Sequence, residues 1–300
     1  MTADQFVKAL KAEGVNVKER SGWRTHNRNH KGAWGPVHGV VIHHTAGRNS
    51  LAFVSSGSSA LPGPLCHTHL AKDGTATMVG NGRANHAGTF ASNAHTAVVT
   101  ESSTHPKPSK AEPIDGNTHY YGIEIENLGD GKDFYPQSQY DAAVKWAAAI
   151  CRHHGWTADS VIGHKEGTTR KIDPKGPIGK AAGSLWDMTD FRKDVTAQLK
   201  KSAGKPPTTP SKPTTPNKPA VPAFPGAQYF RPGARNQYVT QLGRQLVKTG
   251  YGRFYKVGPG PQWTGSDRAA VKAFQTAQGW TGSDADGYPG PQTWKRLFSS

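Results

Sequence analysis

Apolar positions along this chain recur in two periods, and segments of the two kinds alternate. Phe6, Val7 and Leu10 share one face of a short helix that Gly14 ends. The stretch HGVVIHHTA (38–46) has a β-branched run at Val40, Val41 and Ile42, which predicts a buried strand. LCHTHLAKDGTATMVG (65–80) predicts a hairpin, with Asp73-Gly74 at the turn. YYGIEIEN (120–127) alternates and predicts another strand. YDAAVKWAAAICRHHG (140–155) is an Ala-rich helix with Val144, Ala148 and Cys151 along one face and Gly155 as its stop. SVIGHKEG (160–167) predicts a short strand running into a loop. Interleaved strands and helices predict an α/β (α+β) fold, a mixed central sheet flanked by helices.

The pattern breaks at residues 202–226, SAGKPPTTPSKPTTPNKPAVPAFPG, where Pro, Thr and Lys replace the apolar positions. Such a segment buries too little surface to fold and favours extended polyproline geometry. It is expected to link residues 1–201 to a small, mostly helical domain at 227–300. In that domain Val239, Leu242 and Leu246 mark one helix, stopped near Gly250. Ser266 is the expected N-cap of a second, with Ala270, Val271, Phe274 and Ala277 inward. Pro291 opens a third that contains Trp294, Leu297 and Phe298. A length of 300 residues suits two domains.

Composition adds three constraints. No apolar run is long enough to span a bilayer, so no membrane insertion is expected. Met1 to Gly14 lacks an apolar signal core, so synthesis without a secretory signal is expected. Cys66 and Cys151 are the only cysteines, too few for a disulfide framework or a four-cysteine zinc site; a single bond between them stays open. The net charge of +16 is concentrated late: residues 201–300 carry 14 basic against 3 acidic side chains. A basic surface gathers polyanions, nucleic acid and anionic wall polymers alike.

All 14 histidines precede residue 165, so imidazole chemistry belongs upstream. Strand parity puts Val41, His43 and Thr45 on one side and Val40, Ile42 and His44 on the other, so at most one of His43 and His44 faces a given cleft. Downstream, GHKEGTTRKIDP supplies His164, then Lys171 and Asp173 two residues apart. Two imidazoles and a carboxylate form a common set for a catalytic zinc with an open position.

VVIHHTAG, PGPLCH…KDGT, GRANHAG (82–88), GIEIEN and GHKEGTTRKIDP, in this order over about residues 35–180, resemble the type 2 N-acetylmuramoyl-L-alanine amidase family. That family includes phage endolysins and peptidoglycan recognition proteins. The resemblance implies Zn2+ as cofactor, with His43, His164 and Asp173 as metal ligands. It implies Glu124 as the catalytic glutamate and Lys171 as the lysine paired with the last ligand, and it puts His67 and His86 in the substrate groove. GTTRK departs from the APGRK-type segment of many members and is one residue shorter, which bears on substrate contacts of that loop. Residues 89–121 form a long polar insertion, expected to be a surface loop over the groove. At the other end, WTGSDRAAVKAFQTAQGWTGSDADGYPGPQTWKRLF resembles peptidoglycan-binding domains of lysins from actinobacterial phages. SDADGYPG (283–290) lacks the later ligands of a calcium loop and is expected to be a turn.

Together these imply a modular phage endolysin, expected to be a monomer, acting on bacterial peptidoglycan and anionic wall polymers after release from the host cytoplasm. A bacterial autolysin of the same chemistry is the alternative, and its expected export signal is the feature that separates them. A non-catalytic peptidoglycan recognition protein would lack one or more ligands, whereas all three matching positions are filled. No nucleic-acid motif accompanies the basic charge, so no nucleic-acid partner is expected.

Overall fold

The computed structural model describes residues 1–201, 222 and 224–299. Most of the expected linker at 202–226 therefore lies outside the described residues. The chain divides into two compact units between Thr209 and Pro210.

The first unit is built on eight strands: β1 (Val17–Glu19), β2 (Gly39–His44), β3 (Thr68–Leu70), β4 (Ala76–Met78), β5 (Thr89–Phe90), β6 (Ile114–Asp115), β7 (Tyr120–Ile125) and β8 (Val161–Gly163). Its helices are α1 (Ala3–Ala12), α2 (Leu51–Ser56), α3 (Ser92–Val99), α4 (Gly116–His119), α5 (Gln137–His154), α6 (His164–Gly167) and α7 (Met188–Lys200). Six strands form one mixed sheet in the order β1-β4-β3-β7-β2-β8. The β3–β4 hairpin is antiparallel, while β2 runs parallel to both β7 and β8. The hairpin turn follows its sequence signal: the Thr75 amide donates to Asp73 Oδ1 at 2.8 Å, and Gly74 takes φ +82°.

The strand parity of β2 decides what each face of the sheet buries. Val40 and Ile42 enter the main core with Phe6, Leu10, Trp146, Ile150 and Phe191, supplied by α1, α5 and α7. Buried Trp146 also donates Nε1–H to Thr68 Oγ1 at 2.9 Å, so its polar atom is satisfied within the core. The three helices are joined by Glu13, which takes Arg152 Nε at 2.9 Å and Gln198 Nε2 at 2.9 Å. The helix α7 was not evident from sequence pattern, because Met188, Phe191 and Val195 are the few apolar residues on a buried face that also includes Arg192.

Val41, with Tyr120 and Ile162, buries against the opposite layer of Phe90, Ala91, Ala94 and Val98. This corrects the expectation for residues 89–121. They do not form a simple surface loop: a two-stranded β5–β6 ribbon and α3 pack against the sheet. The stripe at Ala91, Ala94 and Val98 has helical spacing, but its small alanines are hard to distinguish from the surrounding polar sequence. Cys66 and Cys151 are both free and buried, in separate apolar clusters, and burial pushes both thiols above their ordinary range.

The second unit holds α8 (Gln237–Leu246), α9 (Gly265–Ala277) and α10 (Pro291–Ser299) around Phe230, Leu242, Leu246, Val271, Phe274, Trp294 and Leu297. The N-cap of α9 is Thr264 and not Ser266: Thr264 is extended at φ −128° and shares a capping box with Asp267. Asp267 is buried because Tyr255 Oη donates to it at 3.1 Å and the Thr264 amide at 2.8 Å. Ala277, expected inward, is exposed at the end of α9, and Gln275 takes a buried place instead. Among the described residues no helix is long and apolar enough to cross a membrane.

Trp146→Ala should cost about 3–5 kcal/mol of unfolding free energy, through lost contacts and the lost hydrogen bond to Thr68. Urea denaturation of the variant checks this; a loss below about 1 kcal/mol would show that the core collapses around the gap.

Candidate active site

Register across three parallel strands assembles the candidate site. His43 on β2 lies level with Glu124 on β7. Ile42 lies level with Gly163 on β8, so His164, the next residue, emerges beside His43 as α6 begins. The site therefore sits at the carboxyl ends of these strands, where α/β sheets leave open crevices. His44, one residue on, points to the other side, where Lys175 donates its amide to Nδ1 at 3.3 Å.

Asp173 arrives from a loop that is tied to the same turn. The Lys165 amide donates to Asp173 O at 2.8 Å, and Lys165 Nζ donates to Pro174 O at 3.0 Å. The turn is itself braced: Glu166 accepts the Gly163 amide at 3.0 Å and both guanidinium nitrogens of Arg192, at 2.8 and 2.9 Å. Sequence reasoning did not select Lys165, Glu166 or Arg192. Glu166 had a signal, its place three residues into a helical turn, but Arg192 comes from α7 and had none.

The three predicted ligand positions converge. His43 Nδ1 lies 2.9 Å from His164 Nδ1, and Asp173 Oδ2 lies 3.1 Å and 3.0 Å from those two nitrogens. All three residues are buried, and they are the one group of this kind among the described residues.

The hydrogen bonds behind the rings fix their tautomers. His164 Nε2 meets Ala87 O at 3.2 Å, and a carbonyl only accepts, so this nitrogen bears the hydrogen. His86 Nε2 meets Tyr120 O at 3.0 Å and donates in the same way. Neutral His86 then offers a bare Nδ1, which takes Nε2–H of His43 at 2.9 Å. Burial, with the neighbouring His43 and His67, holds His86 well below the usual imidazole range, so it is neutral. Burial first, then His164, lowers His43 to about 4. In the tautomer that these bonds select, with the hydrogen on Nε2, the Nδ1 atoms of His43 and His164 are bare, and both face a carboxylate oxygen. Three electron pairs meet with no hydrogen between them. One proton can relieve one edge of that triangle at a time, whereas a divalent cation satisfies all three. The donor set fits such an ion.

Glu124 is half-buried in the same row, and its Oε2 is sealed from solvent without a hydrogen-bond partner. Burial, reinforced by the charge of Asp173, raises its carboxyl well above the usual range; Lys171 opposes this. Lys171 is exposed on the loop before Asp173, and its charge acts on both His43 and Glu124.

His67 and His86 occupy the floor behind these groups. His67 donates Nε2–H to Gly82 O at 2.8 Å and accepts the Gly122 amide at Nδ1 at 2.9 Å. His86 spends both nitrogens on Tyr120 and His43. Both nitrogens of each ring thus have protein partners. Gly122 permits this arrangement, because a Cβ there would fall 2.4 Å from the His86 ring.

The family comparison agrees with the site's location. Residues 33–176 match the Amidase_2 family model, described as N-acetylmuramoyl-L-alanine amidase. Similar solved structures include the endolysin amidase LysCS from Clostridium intestinale, at 16% identity over 59% of this chain and 93% of that one, with a TM-score of 0.36. Another is AmiD from E. coli, solved with an anhydro-muropeptide substrate, at 17% identity over 90% of each chain and a TM-score of 0.37. Drosophila peptidoglycan recognition protein SD is similar at 17% identity over 52% of this chain and 86% of that one, with a TM-score of 0.32. No curated protein matches the chain.

Acid should destabilise the metal-free protein. Burial lowers His67 and His69 to about 4 from the ordinary 6.5. The unfolded chain thus takes up protons that the folded one refuses, so stability is full above about pH 6.5 and declines toward pH 4. Thermal melting in chelator at pH 7.5 and pH 5 (a window set by these values) reads this; an unchanged midpoint would refute it.

Proposed function

We propose that this chain is a zinc-dependent N-acetylmuramoyl-L-alanine amidase acting on bacterial peptidoglycan. The observation that carries the reading is the convergence of bare His43 Nδ1, bare His164 Nδ1 and Asp173 Oδ2 beside an unpartnered Glu124 Oε2. Its position within the Amidase_2 segment supports the bond that is cut.

Bound by these three residues, zinc supplies Lewis-acid polarisation of the scissile carbonyl and lowers the pKa of water toward about 7. Glu124 takes a proton from the attacking water and delivers one to the leaving L-alanine nitrogen. Its raised proton affinity suits both halves of that transfer, since a carboxylate that held no proton could not serve the amine. Lys171 offsets negative charge as it develops on the carbonyl oxygen. His86 holds His43 in the tautomer that leaves Nδ1 bare, and His67 fixes the Gly122 backbone under the same groove.

The second unit is assigned to wall binding. Its aromatics divide between core and surface: Trp263 and Trp294 are buried, whereas Trp280 and Tyr288 are half-exposed, with Arg296 and Arg268 over their rings. A wall-bound tail raises the local substrate concentration for a tethered catalytic unit.

Digestion of purified peptidoglycan should expose new L-alanine amino termini without new reducing sugars, and a chelator should abolish this until zinc is restored. New reducing ends would identify a glycosidase and overturn the reading. Glu124→Gln should lower turnover by about 10²–10⁴-fold with zinc retained. Lys171→Ala should lower it by about 10²–10³-fold, again with zinc retained. Full activity in either variant removes that residue from the mechanism. Removal of residues 222–300 should weaken retention on whole walls while cleavage of a soluble muropeptide persists; unaltered retention would place wall binding elsewhere.

A further inference from the structure

Both histidine ligands depend on hydrogen-bond partners from one short segment, residues 86–88. His43 leans on His86 Nδ1, and His164 donates to Ala87 O. That segment is held by a single side-chain atom. Asn117 Oδ1 accepts the amides of His86 at 2.9 Å, Ala87 at 2.8 Å and Gly88 at 3.4 Å. Asn117 is buried and comes from α4, immediately before β7.

The holder is itself fixed. The Asn117 amide donates to Asp115 Oδ1 at 3.1 Å, and Asp115 Oδ2 pairs with Arg83 Nη2 at 2.6 Å. Arg83 Nη1 donates to Thr118 Oγ1 at 2.7 Å, and the Gly116 amide donates to Gly88 O at 2.8 Å. Residues 83–88 and 115–118 are thus stitched together, with Asn117 at the point nearest the rings.

We propose that Asn117 is a positioning residue for the metal site, setting the tautomer and aim of His43 and His164 at once through the backbone of residues 86–88. The inference rests on the zinc reading given above. Each ring needs a partner on its far nitrogen to keep Nδ1 bare, and outer partners of this kind commonly change metal affinity by about 10–100-fold. Asn117 acts one step further out but on both rings together. Without its oxygen, three neighbouring amides lose their acceptor and the 86–88 backbone is free to turn, carrying both partners with it.

The test compares full-length wild type, Asn117→Ala and Asn117→Asp. Asp keeps the acceptor oxygen and so separates hydrogen bonding from mere occupancy of the site. Zinc affinity is measured by competition with a chromophoric chelator, and site geometry by the visible spectrum of the Co2+ form. Asn117→Ala should bind zinc about 10–100-fold more weakly and shift the Co2+ bands, while Asn117→Asp recovers most of the affinity and the wild-type spectrum. Wild-type affinity and spectrum in a folded Asn117→Ala protein would overturn the proposal, as would an Asp variant impaired as deeply as Ala. If Asn117→Ala does not fold, Asn117→Ser takes its place, since its shorter side chain cannot reach all three amides, and the same two outcomes decide. A wild-type protein that takes up no zinc would instead overturn the metal reading itself, which keeps the two failures distinct.

Discussion

Three electron pairs that face one another without a hydrogen are the constraint on which this molecule turns. Left alone, bare imidazole nitrogens 2.9 Å apart beside a carboxylate oxygen repel. A buried arrangement of that kind persists only if the surrounding fold over-determines it, and it is useful only if a cation settles there. Much of the first unit can be understood as the over-determining structure. His86 and Ala87 O fix the far sides of the rings, Gly122 leaves room for His86, and the Arg192–Glu166 pair braces the turn that carries His164.

The sheet is the ruler for this arrangement. Parallel register places Glu124, His43 and His164 in one row across three strands, so the groups converge without long reaching side chains. Strand parity then separates tasks. One face of β2 buries Val40 and Ile42 under α1, α5 and α7, while the other carries Val41 into a second apolar layer and His43 into the polar row. A shift of register by one residue would exchange these faces and destroy the site and the core together, so the same packing that stabilises the fold also protects its chemistry.

Polar residues near the row show how burial sharpens function. Glu124 keeps one oxygen without a partner, a costly condition for structure alone and one that suits the proton transfer proposed for it. His67 has the opposite character: both nitrogens are satisfied by backbone, so it is fixed and chemically quiet. The layer of residues 89–121 belongs to the same logic. Its apolar stripe closes one face of the sheet, and its last turn supplies Asn117 to the backbone behind His43 and His164.

The sequence by itself determined the periodic elements, the parity that separates His43 from His44, the histidine-free tail, and, through ordered motifs, the residues that meet at the site. These are local or nearly local properties: period, turn chemistry and spacing act within a few residues. Tertiary structure alone decided that His67 and His86 spend both ring nitrogens on protein partners, that residues 89–121 pack as a layer, that Thr264 caps α9, and that α7 braces the turn of His164 through Arg192. Tautomers were equally out of reach, because the hydrogen on an imidazole is placed by a carbonyl or ring dozens of residues away. Which nitrogen is bare depends on contacts that exist only once distant strands lie side by side.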